Sequence, residues 1–129
     1  MNLLLDTHIA IWAIHRPERL PASALKLVQD KGNVIYVSAV SIWEIAIKRK
    51  RGSGDLPPVD SDDAIIAFEE AGFEIVPISA AHCAATQKLD LLHNDPFDRL
   101  LIAQALNTPF RLMTRDKIVA RYSDTIILV

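Results

Sequence analysis

The sequence predicts an α/β protein in which a parallel sheet of about five strands is covered by helices on both faces. Two observations lead there. Short apolar runs rich in Leu, Ile and Val alternate along the whole chain with segments of helical periodicity, and each run is closed by a polar or glycine-containing break. At 129 residues the chain is also long enough to bury one core without disulfide or metal staples. No internal repeat, low-complexity tract or domain linker interrupts the pattern, so residues 1–129 are expected to form a single domain.

The elements follow in order. Leu3–Leu5 reads as a buried strand, and Thr7 to Trp12 as a helix broken by Pro17 and Pro21. A second helix restarts over Ser23 to Asp30 and ends at Lys31-Gly32. Val34–Val37, β-branched and aromatic, is the second strand. Either Ser38 or Ser41 caps the following helix, which runs through Ile42, Ile45 and Lys48. Gly52 to Pro58 is a loop by composition and is a candidate flap. Asp60 to Ala71 is helical with acids in its first turn and Gly72 at its end. Phe73–Ile78 is the third strand, and Ser79 caps a helix to about Leu89. After a polar turn at His93 to Pro96, Asp98 opens an apolar helix through Leu106. Arg111–Thr114 is the fourth strand, Asp116 to Arg121 a short helix, and Thr125–Val129 the fifth strand.

Bulk properties narrow the function classes. Half the residues are hydrophobic and 23% are charged, an ordinary globular balance. The formal net charge of -2 gives no overall field for nucleic acid, so any such surface is local. A single cysteine excludes an intramolecular disulfide and a cysteine-built zinc site, and Cys83 in its apolar setting reads as a buried structural thiol. The N-terminal segment lacks a basic region and meets Asp6 after three leucines, so it is not a signal peptide. No stretch approaches the roughly 20 apolar residues of a membrane span. The expected location is the cytoplasm, with no membrane partner.

The acids carry the chemistry. In an open parallel sheet, ligands bind beyond the carboxyl ends of the strands. Asp6 follows the first strand, Glu44 lies one to two turns into the helix after the second, Asp98 opens the helix before the fourth, and Asp116 stands two residues past Thr114. Carboxylates brought together repel one another unless a cation sits among them. A hard divalent ion, Mg²⁺ or Mn²⁺, suits such a set and can activate water against a phosphodiester. Each acid also has a plainer role. Asp6, Asp98 and Asp116 fit helix N-caps, and Glu44 fits the solvent side of an amphipathic helix. Asp95 before Pro96 reads as a turn opener, yet it is close enough to Asp98 to serve as an alternative ligand.

At these residues the sequence resembles a known family. Leu4-Leu5-Asp6-Thr7-His8, Val37 through Lys48, Asp95 through Ala105 and Met113-Thr114-Arg115-Asp116 are similar to the four signature blocks of PIN-domain proteins, in the expected order and across the whole chain. The likeness is to the VapC-like toxin branch of bacterial type II toxin–antitoxin systems. It implies a PIN-like fold with strand order 3-2-1-4-5 and Mg²⁺- or Mn²⁺-dependent cleavage of RNA. It places the catalytic and metal-binding acids at Asp6, Glu44, Asp98 and Asp116, with Asp95 competing for the third place and Thr7 and Thr114 in support. It further implies a homodimer and a cognate antitoxin that fills the groove and brings a basic side chain to the acids.

Lys48-Arg49-Lys50-Arg51 is the dense basic run, either an RNA-phosphate contact beside the acids or a solvated helix end. The four histidines lack zinc-site spacing, and His93 reads as a surface turn residue, with reach of the metal site beside Asp95 and Asp98 as its alternative. Trp12 and Trp43 read as core or dimer-interface residues rather than base-stacking platforms. Nucleophile elbows and phosphate-binding glycine motifs are absent. Two other readings stand beside the ribonuclease. One is a receiver-type signalling domain, which would need an acidic pair after the first strand and a phosphoacceptor Asp after the third. The other is a PIN-like module that binds RNA or protein without cutting.

Overall fold

The structure, a computed structural model, describes residues 1–52, 56–57 and 59–129. Five parallel strands form one sheet in the order β3-β2-β1-β4-β5. The strands are β1 (Asn2–Leu5), β2 (Val34–Ser38), β3 (Glu74–Val76), β4 (Arg111–Thr114) and β5 (Ile127–Leu128). The helices are α1 (Thr7–His15), α2 (Ala22–Gln29), α3 (Ala39–Arg51), α4 (Ser61–Glu70), α5 (Ala80–Ala85), α6 (Pro96–Leu106) and α7 (Lys117–Ala120). This is the strand order expected from the family resemblance. It differs from the 2-1-3-4-5 order of receiver domains, which removes the signalling reading on topology alone.

The central strand explains why both faces are covered. β1 is Asn2-Leu3-Leu4-Leu5, and its three leucines are fully buried. Successive side chains of a strand point to opposite faces, so such a run needs an apolar layer on each side. Leu3 and Leu5 pack with Ile9 and Ile11 of α1, Ala24 of α2 and Phe68 of α4. Leu4 faces the other way, with Leu112, with Leu101 and Ile102 of α6, and with Val119 of α7. The register sets Leu4 beside Tyr36 on one flank and Leu112 on the other. The carboxyl ends of β1, β2 and β4 therefore finish together at one edge.

Several boundaries differ from the sequence expectation, each for a local reason. β3 stops at Val76 because Pro77 has no N–H to continue a ladder. Of the two expected candidates, it is Ser38 that caps α3, its side chain accepting the Val40 N–H at 3.1 Å. Asp95, not Asp98, caps α6, and Pro96 takes the first helical position, where a missing N–H costs nothing. α2 begins at Ala22 directly after Pro21, one residue earlier than expected. The helix after Ser79 ends at Ala85 and continues as a short 3-10 turn, Thr86–Lys88, with the Thr86 hydroxyl bonded back to the Cys83 carbonyl. α4 closes as expected, with Gly72 in a left-handed conformation (φ 82°) that most side chains resist. Of the expected loop and candidate flap at Gly52 to Pro58, residues 53–55 and 58 lie outside the described residues.

Candidate active site

Asp6 sits where β1 becomes α1, and its carboxylate does two jobs. Oδ1 caps α1, accepting the N–H groups of His8 at 2.9 Å and Ile9 at 3.4 Å. Oδ2 accepts the Thr114 hydroxyl at 2.6 Å. The same Thr114 oxygen accepts the Asp116 N–H at 3.0 Å, so one hydroxyl at the end of β4 ties two of the acids together. Asp116 then caps α7 through the N–H groups of Ile118 and Val119. The plain and functional readings of these acids are thus compatible, because a capping aspartate uses one oxygen and keeps the other.

Glu44 arrives from α3 and is 3% exposed. Its Oε2 pairs with the Lys48 ammonium one turn on, at 2.8 Å. Its Oε1 is buried with no hydrogen-bond partner. Asp98, at the third position of α6, meets His93 Nε2 at 3.1 Å, and Asp116 Oδ2 meets the same nitrogen at 3.0 Å. Asp6, Glu44, Asp98 and Asp116 line one cleft of about 490 Å³, whose wall also includes Lys48, His93, Asp95, Trp12 and Arg115. Asp95 faces the cleft too, but its Oδ1 is taken by the α6 cap, accepting from Phe97 N at 2.8 Å and Asp98 N at 3.3 Å.

The electrostatics are those of crowded, partly dry acids. Asp98 is pushed up to about 7, first by burial and then by the charges of Asp95 and Asp6. Burial also raises Asp6, against the opposing pull of the Thr114 hydroxyl. Asp116 goes the other way. Its modest burial is outweighed by hydrogen bonds from His93 and from the N–H groups of Ile118 and Val119, which hold it below the usual range.

A model of the family described as PIN domain matches residues 3–124. The chain belongs to the PIN-domain family. It is 31% identical over 117 residues to Ribonuclease VapC22 of Mycobacterium tuberculosis, a match covering 90% of this chain and 88% of that protein. Among solved structures it is similar to VapBC2 from Rickettsia felis bound to a DNA fragment from their promoter, with a TM-score of 0.70 and 21% identity over 100% of this chain and 98% of the other. It is also similar to VapBC-1 from nontypeable Haemophilus influenzae, with a TM-score of 0.65 and 15% identity over 100% and 97% of the two chains. At those identities the structures speak to the fold alone.

All four acids named from the PIN resemblance line the cleft, whereas the supporting residues are more dispersed. Thr114 bonds Asp6 directly, but the Thr7 hydroxyl is turned to Ser41 at 2.8 Å, joining α1 to α3 in the interior. Of the basic run, Lys48 lines the cleft, while Lys50 and Arg51 are exposed at the end of α3.

Three expectations need correction. His93 is not a surface turn residue. It is only 16% exposed and bridges Asp98 and Asp116. Its loop is pinned from behind by Arg99, which donates to the Thr86, Asp90 and His93 carbonyls, and by the Tyr122 hydroxyl, which accepts the N–H groups of Leu92 and His93. Cys83 is exposed rather than buried, because α5 lies on the periphery and buries none of its residues. Of the core or dimer-interface reading of the tryptophans, only the core half is corrected: neither is buried, although Trp12 packs against the core from its edge. Trp12 is a half-buried part of the cleft wall, and Trp43 is 55% exposed with its ring edge-on to Phe97.

The residues fit a hard cation. The set is rich in carboxylate oxygens, and the orphaned Glu44 Oε1 is a buried acceptor lacking a partner. His93, Asp98 and Asp116 also bring potential ligand atoms within 4.8 Å of one another. His93 is better placed as a donor than as a ligand, however. The Asp95 N–H donates to Nδ1 at 3.0 Å, so the ring proton is on Nε2 and points at the two carboxylates.

Asp98 gives a pH signature whose sign is fixed. Its carboxyl is pushed from an ordinary 3.8 up to about 7 in the folded protein. Between those values the unfolded chain releases a proton that the folded one keeps. The stability this group contributes is full below the lower value and is lost as pH rises through the upper one. Thermal melts in EDTA are expected to fall between about pH 5 and 7 more steeply for the native chain than for Asp98→Asn. Because a divalent ion competes with the same proton, Mg²⁺ or Mn²⁺ is expected to raise the melting temperature more at about pH 8 than at about pH 6. An ion-induced shift that ignores pH would contradict this account.

Proposed function

We propose that this chain, read as one PIN domain over residues 1–129, is a metal-dependent endoribonuclease and the toxin half of a VapBC-like toxin–antitoxin pair. The observation that carries the reading is the convergence of Asp6, Glu44, Asp98 and Asp116 in one partly dry cleft, with a buried Glu44 oxygen lacking any partner. The relative named Ribonuclease VapC22 supports RNA as the substrate. The VapBC complexes among the similar folds support an antitoxin as the protein partner.

In this reading Asp6, Glu44 and Asp98 hold Mg²⁺ or Mn²⁺ and Asp116 completes the set. When bound, the ion supplies positive charge at the phosphate and acidifies a water for attack on it. The protein's own contribution is orientation. Thr114 fixes the rotamer of Asp6, the α6 cap at Asp95 frees Asp98 to face the cleft, and His93 spans Asp98 and Asp116. Lys48 holds one oxygen of Glu44 and sits where an RNA phosphate needs a counter-charge. The antitoxin is expected to block the same cleft with a basic side chain, and the chain is expected to form a homodimer in the cytoplasm.

Replacing Asp6 by Asn keeps the oxygen that caps α1 but removes the charge. Cleavage of a labelled RNA panel is expected to fall below detection while the far-ultraviolet dichroism stays native. EDTA is expected to abolish wild-type cleavage, and added Mg²⁺ or Mn²⁺ to restore it. Full activity in Asp6→Asn would refute the site, and EDTA-resistant cleavage would refute the metal. RNA binding without cleavage in either metal would favour the non-cutting module. Sedimentation of the isolated chain at twice its 14.3 kDa mass is the expected result for the dimer, and a monomer at micromolar concentration would remove it.

A further inference from the structure

The acid chemistry gives Trp12 nothing to do, yet its ring forms part of the cleft. The indole is backed by the core that surrounds α1 and is half-buried there. The exposed Arg115 guanidinium lies over its ring, 5.2 Å from the centroid. The His8 ring meets it edge-on, with centroids 5.9 Å apart. His8 and Trp12 are four residues apart on α1, so one helical face presents both. α1 starts at the residue after Asp6, and Arg115 immediately precedes Asp116. An aromatic face and an exposed cation are therefore held by chain connectivity beside two of the acids.

We infer that Trp12, Arg115 and His8 form a nucleobase subsite that holds one unpaired base of an RNA strand next to the phosphate at the acids. This rests on the ribonuclease reading and gives the cleft a base-binding wall. The base takes the ring face that Arg115 now covers, and the freed guanidinium turns to a flanking phosphate. Magnitudes favour that exchange. An exposed cation on an aromatic ring contributes about two- to fivefold in affinity, whereas a base stacked on an aromatic side chain contributes about 5- to 150-fold. The released arginine also gains a phosphate in a chain whose net charge is -2. Stacking reads any base face but needs it unpaired, so the subsite selects single strands over duplexes without strong sequence preference.

The test compares wild type with Trp12→Leu and Trp12→Phe on a short single-stranded RNA and on a series carrying one abasic position each. Trp12→Leu is expected to raise KM about 5- to 150-fold with little change in kcat, and Trp12→Phe to recover most of the loss. On the one substrate whose abasic position matches the subsite, Trp12→Leu is expected to cost nothing further. Its metal-induced melting shift is expected to equal that of wild type, which a merely structural role for the ring would not preserve. An unchanged KM, or losses that multiply at every abasic position, would overturn the subsite while leaving the ribonuclease standing. A second readout does not depend on cleavage. The chain has two tryptophans, so Trp43→Phe leaves Trp12 as the sole indole reporter. Quenching of its emission by the RNA, weaker with the matching abasic strand, supports the subsite even in a protein that cuts nothing, and emission unmoved by either strand overturns it.

Discussion

The hydroxyl of Thr114 is the joint on which the site depends. β1 and β4 are parallel neighbours, so their carboxyl ends finish side by side, and the Asp6 N–H donates to the Met113 carbonyl at 3.0 Å to extend that pairing past the last strand residue. Thr114 then donates to Asp6 and accepts from the Asp116 backbone, which sets two acids from opposite ends of the sequence at a fixed spacing. Burying a carboxylate is costly unless its oxygens are satisfied, and this joint satisfies Asp6 without neutralising it. Glu44 and Asp98 are then delivered to the same edge by α3 and α6.

The distribution of bonds among the acids shows which of their oxygens the fold itself uses. Asp6, Asp95 and Asp116 each give an oxygen to a helix cap, a use that positions the side chain and orders the first turn behind it. Glu44 and Asp98 cap nothing. Glu44 keeps one oxygen without a partner, and Asp98 carries the raised carboxyl among its acidic neighbours. His93 and Lys48 are the positive or proton-bearing groups that meet these carboxylates, one from a pinned loop and one from the next turn of α3. Both oppose the mutual repulsion that the sheet edge imposes.

What the sequence revealed was mostly what local patterns encode. The buried leucines of β1, the Ser38 and Ser79 caps, the glycine stop at Gly72 and the placing of acids after strands are readable within a few residues of each position. Strand order came from the family resemblance rather than from periodicity, which does not specify neighbours. The closeness of His93 to Asp95 and Asp98 was legible, but its burial was not, because the partners that fix its loop lie far along the chain. Asp116 is 23 residues away and Tyr122 is 29, and Arg99, which braces the loop, reads on its own as an ordinary helix cation. Cys83 and Trp43 misled for the opposite reason. Apolar composition suggested burial, but α5 is peripheral and Trp43 lies on an exposed face of α3. The Asp95-Pro96 pair was a turn opener and a helix cap at once, and only the hydrogen bonds show that Asp95 rather than Asp98 caps α6.

The central claim is that this sheet edge gathers carboxylates in order to hold a divalent cation. Anomalous scattering from a crystal soaked in Mn²⁺ locates such an ion without reference to activity. The account predicts a peak within coordinating distance of the Glu44 Oε1 that now lacks a partner, shared with Asp6 and Asp98. A peak elsewhere on the molecule, or none at millimolar Mn²⁺ and a pH above the Asp98 midpoint, would contradict it.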